Sequence, residues 1–327
     1  MIAPAQVLTP AEDRLVIYSA AEKKYCTGLL EDFNARHPGI EVDFVFGISV
    51  ALHERYLAAL AAGKPEADLL RSSAMDLQMS LVLTGDALRH PSPGAHALPQ
   101  GAAYRDLAYA TTMEPLVTLV NRDRFDLNLA AGSLTELTAV LRSDPERFLG
   151  RIACYDIAAN GLGFLALLHE SRRSVDFAAF LQVLAACRPK LFGSNPPLVE
   201  EVASGRAALG FHVLASYALR ATRSNPSLAI AASNTPPLAV SRVAFIPRSA
   251  PHPNAARLFL DYLLSQDGQQ CLLEAGLFPI CRVAGGVAPS GTDAVTPIRI
   301  DRDFGDLLDP QHRHKLLSQW RAAVHAK

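Results

Sequence analysis

Arg14-Leu-Val-Ile-Tyr18, Ile40-Glu-Val-Asp-Phe-Val-Phe46 and Ala67-Asp-Leu-Leu70 are the stretches that decide the fold. The first is a short apolar run, as a buried strand requires, and the second alternates in part. Between them Cys26, Leu29, Leu30 and Phe33 recur at helical spacing, and Pro38-Gly39 ends the pattern. Ser19 with Glu22 three residues on has the form of a capping box, so the spacing predicts that this helix opens at Ser19. A second helix runs through Leu52, Tyr56, Leu57 and Leu60 to Gly63. After the third strand, Ser72-Ser73 reads as a cap for a helix over 75–83, stopped by Gly85. Strand and helix alternating three times predict a parallel sheet with helices packed against it.

Working outward, 91–100 is rich in Pro, Gly and His and reads as loop. Thr111-Thr-Met-Glu-Pro115 and then Leu116-Val-Thr-Leu-Val-Asn121 read as a strand carrying the chain into a second lobe. There 151–155, 207–213 and 228–232 read as strands, and Lys190-Leu-Phe-Gly-Ser194 follows the lobe's second helix. Helices are expected over 164–169 and 176–186, from Asn195-Pro-Pro197 to Gly205, and from Ser216-Tyr217 onward. Proline fits the first turn of a helix, where its missing N–H costs nothing. The segment 237–247 reads as a return crossing. Helices over 254–264 and 266–275 follow, then a charged amphipathic tail over 301–324 expected to lie on the outside. The expected division is a discontinuous first lobe, 1–115 with 237–327, and a second lobe, 120–232, with crossings near 115–120 and 233–240.

Composition narrows the function. The 327 residues suit two α/β lobes better than one core. Thirty-one basic residues balance 32 acidic ones without a basic block, which argues against nucleic acid as a partner. No apolar run reaches the roughly 18 residues of a membrane span. Cys26, Cys154, Cys187, Cys271 and Cys281 are odd in number and lack C-x-x-C spacing, so free thiols are expected; a Cys271–Cys281 or Cys154–Cys187 bridge is the alternative. Nucleophile-elbow, zinc-protease, phosphate-loop and dinucleotide fingerprints are all missing, so an enzyme is not expected. The first strand begins near residue 14, which leaves no room before it for a DNA-binding helix-turn-helix.

Val16-Ile-Tyr-Ser-Ala20, Phe33-x-x-x-x-Pro38-Gly-Ile-x-Val42, Ala67-Asp-Leu-Leu70 and Pro253-Asn-Ala-Ala-x-x-Phe-Leu-x-Tyr-Leu-Leu-Ser265-x-x-Gly-Gln269 form an ordered set. Together they resemble the class II periplasmic solute-binding proteins of ABC transporters, in the ferric-ion-binding-like branch. Arg71-Ser-Ser-Ala-Met-Asp-Leu-Gln78 is similar to receptors of the phosphoglycerate-transport regulatory type. The resemblance implies an α/β fold of two lobes, each a mixed sheet flanked by helices, with ligand held in the cleft and captured by hinge closure. It further implies a monomer in the periplasm, its leader removed, that needs no cofactor and serves an inner-membrane ABC permease; a membrane sensor kinase is the alternative recipient. Iron-binding members of the branch use an imidazole or carboxylate near the first turn, an acid after the third strand and adjacent tyrosines in the second lobe. Here Ala20-Ala21-Glu22, Ser72-Ser73 and Ala215-Ser216-Tyr217 stand in those places. A metal is therefore not expected, ferric iron being the alternative ligand to a phosphorylated or carboxylated anion.

Ligands of open α/β sheets sit beyond the carboxyl ends of the strands, beside helix N-termini whose free N–H groups favour anions. That rule selects Ser19 and Ala20, Ser72 and Ser73, Asn160 and Gly161, and Ser194 and Asn195 as candidate ligand-binding residues. Arg71 could pair an anion bidentately. Thr112 lies beside the first crossing, and Tyr155, His212 and Ser216 lie at or near strand ends. Each alone also fits a bland role: a cap for Ser or Asn, core packing for Tyr155 or His212, a solvated strand end for Arg71. His312 and His314 read as surface.

Overall fold

A computed structural model describes residues 12–283 and 295–324. In its first sheet β1 (Arg14–Ser19) pairs in parallel with β2 (Glu41–Phe46) and β3 (Leu69–Ser72). The connections are α1 (Thr27–Arg36) and α2 (Ser49–Ala61), and α3 (Met75–Leu83) follows β3. β4 (Ala103–Tyr104), β5 (Ala108–Ala110) and β12 (Val243–Phe245) complete the sheet antiparallel, in the order β2-β1-β3-β12-β5-β4. α9 (Pro253–Leu264) and α10 (Gln266–Glu274) join the same core.

The second sheet is built on β6 (Glu114–Asn121), β7 (Ile152–Tyr155), β8 (Lys190–Phe192), β9 (Leu209–Leu214), β11 (Leu238–Val240) and β13 (Thr296–Pro297). Its order is β13-β11-β6-β9-β7-β8, with β10 (Leu228–Ile230) also pairing β6. β7 runs parallel to β8 and β9, whereas β6 is antiparallel to β9 and β11, so this sheet too is mixed. Around it lie α4 (Leu134–Ser143), α5 (Gly161–Arg173), α6 (Phe177–Ala186), α7 (Asn195–Ala203) and α8 (Ala215–Ser224).

The backbone passes between the sheets at 111–113 and 241–242, because the expected crossings at 115–120 and 233–240 are largely taken up as strands β6 and β11. The two passages are tied together: Thr111 N donates to Arg242 O at 2.9 Å, and Arg242 N donates to Thr112 Oγ1 at 3.0 Å.

Three expectations are corrected. α1 opens at Thr27, not Ser19, because Ser19 Oγ accepts from Ala21 N at 3.1 Å and closes a tight turn at the strand end. Ser72 Oγ takes Ala74 N in the same way, so it serves a turn rather than α3. The tail helix, α11 (Pro310–Val324), packs on α5 and α6 of the second lobe instead of staying with the first. Burying Leu316 and Trp320 against Phe164, Phe180 and Phe211 accounts for that position. The sequence reading also passed over α4. Its Ser133-x-x-Glu136 box is formed in full, and Leu134, Leu137, Val140 and Leu141 are buried. All five cysteines are free thiols, of which Cys26, Cys154 and Cys187 are buried.

Candidate functional site

Parallel strands deliver their carboxyl ends to one edge of each sheet, and these two edges face each other. The cleft between them is lined from both lobes and opens to solvent. From the first lobe come Ala20 and Glu22 after β1, Phe46 at the end of β2 with Ile48 and Ser49 beyond it, and Ser73 after β3. From the second come Asn160, Ser194 and Asn195 at the starts of α5 and α7, with Leu214 and Tyr217. Arg242, at the second passage between sheets, also lines it.

The start of α5 is held by its own cap and that of α7 by a bond to the neighbouring strand. Asn160 Oδ1 accepts from Gly163 N at 2.7 Å, and its Nδ2 donates to Gly193 O at 2.9 Å. Asn195 Oδ1 accepts from Leu214 N at 3.2 Å, joining α7 to the end of β9. Gly161 N donates to Ser49 Oγ at 3.3 Å, a hydrogen bond from one lobe to the other. A Cβ at Gly161 would lie 2.5 Å from the Ala74 Cβ, so only glycine lets α5 come this close to the first lobe.

Behind the cleft wall lies a buried cluster of charge. Arg71, 3 % exposed, donates from Nε to Thr111 Oγ1 at 3.0 Å and from Nη1 to Cys26 Sγ at 3.7 Å. Arg242, 1 % exposed, donates from Nε to Glu114 Oε1 at 2.6 Å, while the Ser216 hydroxyl donates to Glu114 Oε2. Among the described residues, Nη2 of both arginines and the Tyr155 hydroxyl, all buried, lack a hydrogen-bond partner. Burial and the nearby Arg242 charge push the Arg71 pKa down. Burial works against Arg242 as well, but the Glu114 carboxylate outweighs it and holds the pKa above its ordinary value. Burial drives the Tyr155 and Tyr217 phenols well up and Tyr25 to about 12. All three therefore remain neutral donors at physiological pH.

Of the residues expected at the site, the cleft gathers Ala20, Ser73, Asn160, Ser194 and Asn195 on its surface. Gly161 stands at the lobe contact beside it. Ser19, Arg71, Ser72, Thr112, Tyr155 and Ser216 are buried and do not line it. His212 is elsewhere. A register shift between Val117 and Leu119 of β6 leaves β9 bulged opposite, and His212 adopts a left-handed φ of 58°. Its ring stacks on Phe211 at 3.8 Å in an apolar recess beside Trp320, away from the cleft. Glu22, Arg242 and Glu114 were missed as site residues. A signal existed for two of them: a single charged residue interrupts each crossing, Glu114 in Met113-Glu-Pro-Leu and Arg242, of opposite sign, in Ser241-Arg-Val-Ala.

Residues 19–270 match the family model described as bacterial extracellular solute-binding protein. Among solved structures, the substrate-binding protein of an ABC transporter from Agrobacterium tumefaciens superposes with a TM-score of 0.88 at 27% identity, covering 97% of this chain and 96% of that one. The periplasmic binding protein AfuA from Actinobacillus pleuropneumoniae, with fructose-6-phosphate bound, gives 0.75 at 17% identity, covering 96% and 99%. Iron-bound HitA from Pseudomonas aeruginosa gives 0.73 at 18% identity, covering 95% and 99%. At such identities the last two speak for the fold alone. The comparison with curated proteins returns no match.

Proposed function

The chain belongs to the bacterial extracellular solute-binding proteins, and we propose that it captures a small phosphorylated or carboxylated anion and hands it, in the periplasm, to an ABC permease. One observation carries the ligand class. Arg71 and Arg242 are both buried, Glu114 is the carboxylate beside them, and each arginine keeps an Nη2 without a partner among the described residues. A buried charge left unpaired is expensive, and an anionic oxygen placed between the two guanidiniums would satisfy both. The neutral phenol of Tyr155, also without a partner among those residues, adds a third donor. The N-termini of α5 and α7 add the partial positive charge of two helix ends on the facing wall.

Glu22 lines the same cleft with a buried Oε2 that has no hydrogen-bond partner among the described residues. In this reading it accepts a hydroxyl or ammonium from the far end of the ligand. Capture proceeds by closure about the paired passages at 111–113 and 241–242, and the ligand is bound without covalent chemistry.

Ferric iron is the second reading, favoured by Tyr217 and Glu22 lining the cleft with Tyr155 behind it. The Arg242 guanidinium lining the same space and Arg71 buried behind it repel a trivalent cation, and the raised phenol pKa values oppose tyrosinate ligation. A thermal-shift screen separates the two, since ligands that bind the folded state raise its melting temperature. Sugar phosphates, hydroxycarboxylates, neutral sugars, amines and ferric citrate form the panel, with sodium citrate as its control. Stabilisation by one or more organic anions is expected; stabilisation by ferric citrate beyond citrate itself, or by neutral sugars alone, would overturn the proposal.

A further inference from the structure

The end of the chain visits both lobes. β13 pairs with β11, the 3-10 turn Arg302–Leu308 packs on α3, and α11 then lies across α5 and α6. Where α11 begins, Arg313 Nη1 meets Asp76 Oδ2 at 3.0 Å, and the guanidinium lies 4.2 Å from the centre of the Phe164 ring. Asp76 belongs to α3 of the first lobe and is 2 % exposed. Phe164 belongs to α5 of the second, and α11 is fixed to that lobe through Leu316 and Trp320. The ion pair therefore crosses the lobe boundary. It sits beside the close approach of Gly161, whose Cβ, were there one, would stand 3.3 Å from Asp76 Oδ1.

We propose that Arg313 and Asp76 form a latch across the two lobes, through which the C-terminal helix sets how long they stay together and so how fast a captured ligand leaves. The inference rests on the hinge-closure reading, though not on the identity of the ligand. A contact shifts an equilibrium only as far as it differs between the two states. This one does differ. Separation of the lobes draws Asp76 away from a guanidinium that the second lobe carries off with α11. Asp76 is buried while the Arg313 side chain is about a third exposed, so the bond is stronger than an ion pair held wholly in solvent. Losing such a charge-assisted bond lowers the closed-to-open ratio by roughly tenfold.

Small-angle X-ray scattering of the full-length, ligand-free chain tests the latch. Arg313→Met and Asp76→Asn should each enlarge the radius of gyration, the double variant should match the single ones, and Arg313→Lys should stay near the wild type. Melting temperatures within a few degrees of wild type would separate loosened lobes from unfolding. In parallel, stopped-flow dissociation of fructose 6-phosphate should quicken by roughly tenfold in the two neutralised variants. If fructose 6-phosphate fails to bind any of the proteins, its use as ligand fails while the scattering arm still judges the latch. Unchanged scattering in both variants, or an additive double variant, would overturn it.

Discussion

Replacing Arg71 by methionine should strengthen the empty protein while disabling it. Methionine is near arginine in reach, carries no charge, and leaves Thr111 Oγ1 still donating to Arg242 O at 2.8 Å. The bonds lost are those from Nε to Thr111 and from Nη1 to the Cys26 sulfur. Against them stands the removal of a buried cation whose pKa burial and the Arg242 charge push down. Exchanging buried charge for well-packed apolar groups is commonly neutral or stabilising by about 1–4 kcal/mol, and here a gain of about 1–3 kcal/mol is expected. At about 2.1 cal/mol/K of unfolding entropy per residue, a chain of this size gains about 1.5 °C per kcal/mol, so the ligand-free melting temperature should rise by about 1.5–4.5 °C. Loss of one or two charge-assisted bonds to the anion should weaken binding by about 2–4 kcal/mol, or about 30- to 1,000-fold. Differential scanning fluorimetry reads the first number and titration calorimetry with the best anion of the screen reads the second. A ligand-free melting temperature more than 3 °C below wild type, or unchanged affinity, would refute the reasoning.

Glu114→Gln leaves Arg242 without its carboxylate and should cost about 3 kcal/mol, seen in chemical denaturation, while anion binding persists because positive charge is gained. Gly161→Ala should lower ligand affinity at least about tenfold by forcing α5 away from Ala74, with a melting temperature close to wild type; equal affinity would mean the lobes need not meet there. Burial pushes the Asp76 pKa up to about 6, Arg313 opposing it. A carboxyl whose folded pKa lies above its unfolded value opposes folding when ionised, and that penalty disappears as pH falls through about 6 towards 4. Asp76→Asn should therefore be more stable than wild type at pH 7, by up to about 3 kcal/mol, and the gap should close by pH 4–5 in paired denaturation curves.

The first half of the fold is legible because its signals are local. The apolar run at 14–18, the partial alternation at 40–46, and Cys26, Leu29, Leu30 and Phe33 at helical spacing each need only their neighbours to be interpreted. Ser19 shows where such reading stops. Its hydroxyl suits a helix cap and a strand-end turn equally, and only the geometry after β1 chooses the turn. α4 could have been found, since its capping box and apolar stripe are complete in the sequence. The destination of α11 could not, because the sequence shows that Leu316 and Trp320 need covering and not which lobe covers them. At the site, strand-end polar residues were legible as a class, and Asn160 and Asn195 do cap or brace helices at the cleft. His212 was misplaced by a bulge, which breaks the two-residue alternation on which a strand reading depends. The pairing of Arg242 with Glu114 spans 128 positions and becomes visible only when the two passages lie side by side.

The most direct test of the buried-arginine account is a crystal structure with the tightest-binding anion from the screen. The account predicts an anionic oxygen within about 3.2 Å of Nη2 of Arg71 or Arg242, with Tyr155 turned to donate to it. An anion bound elsewhere, or a ferric ion held by Tyr155 and Tyr217 in this cleft, would contradict it.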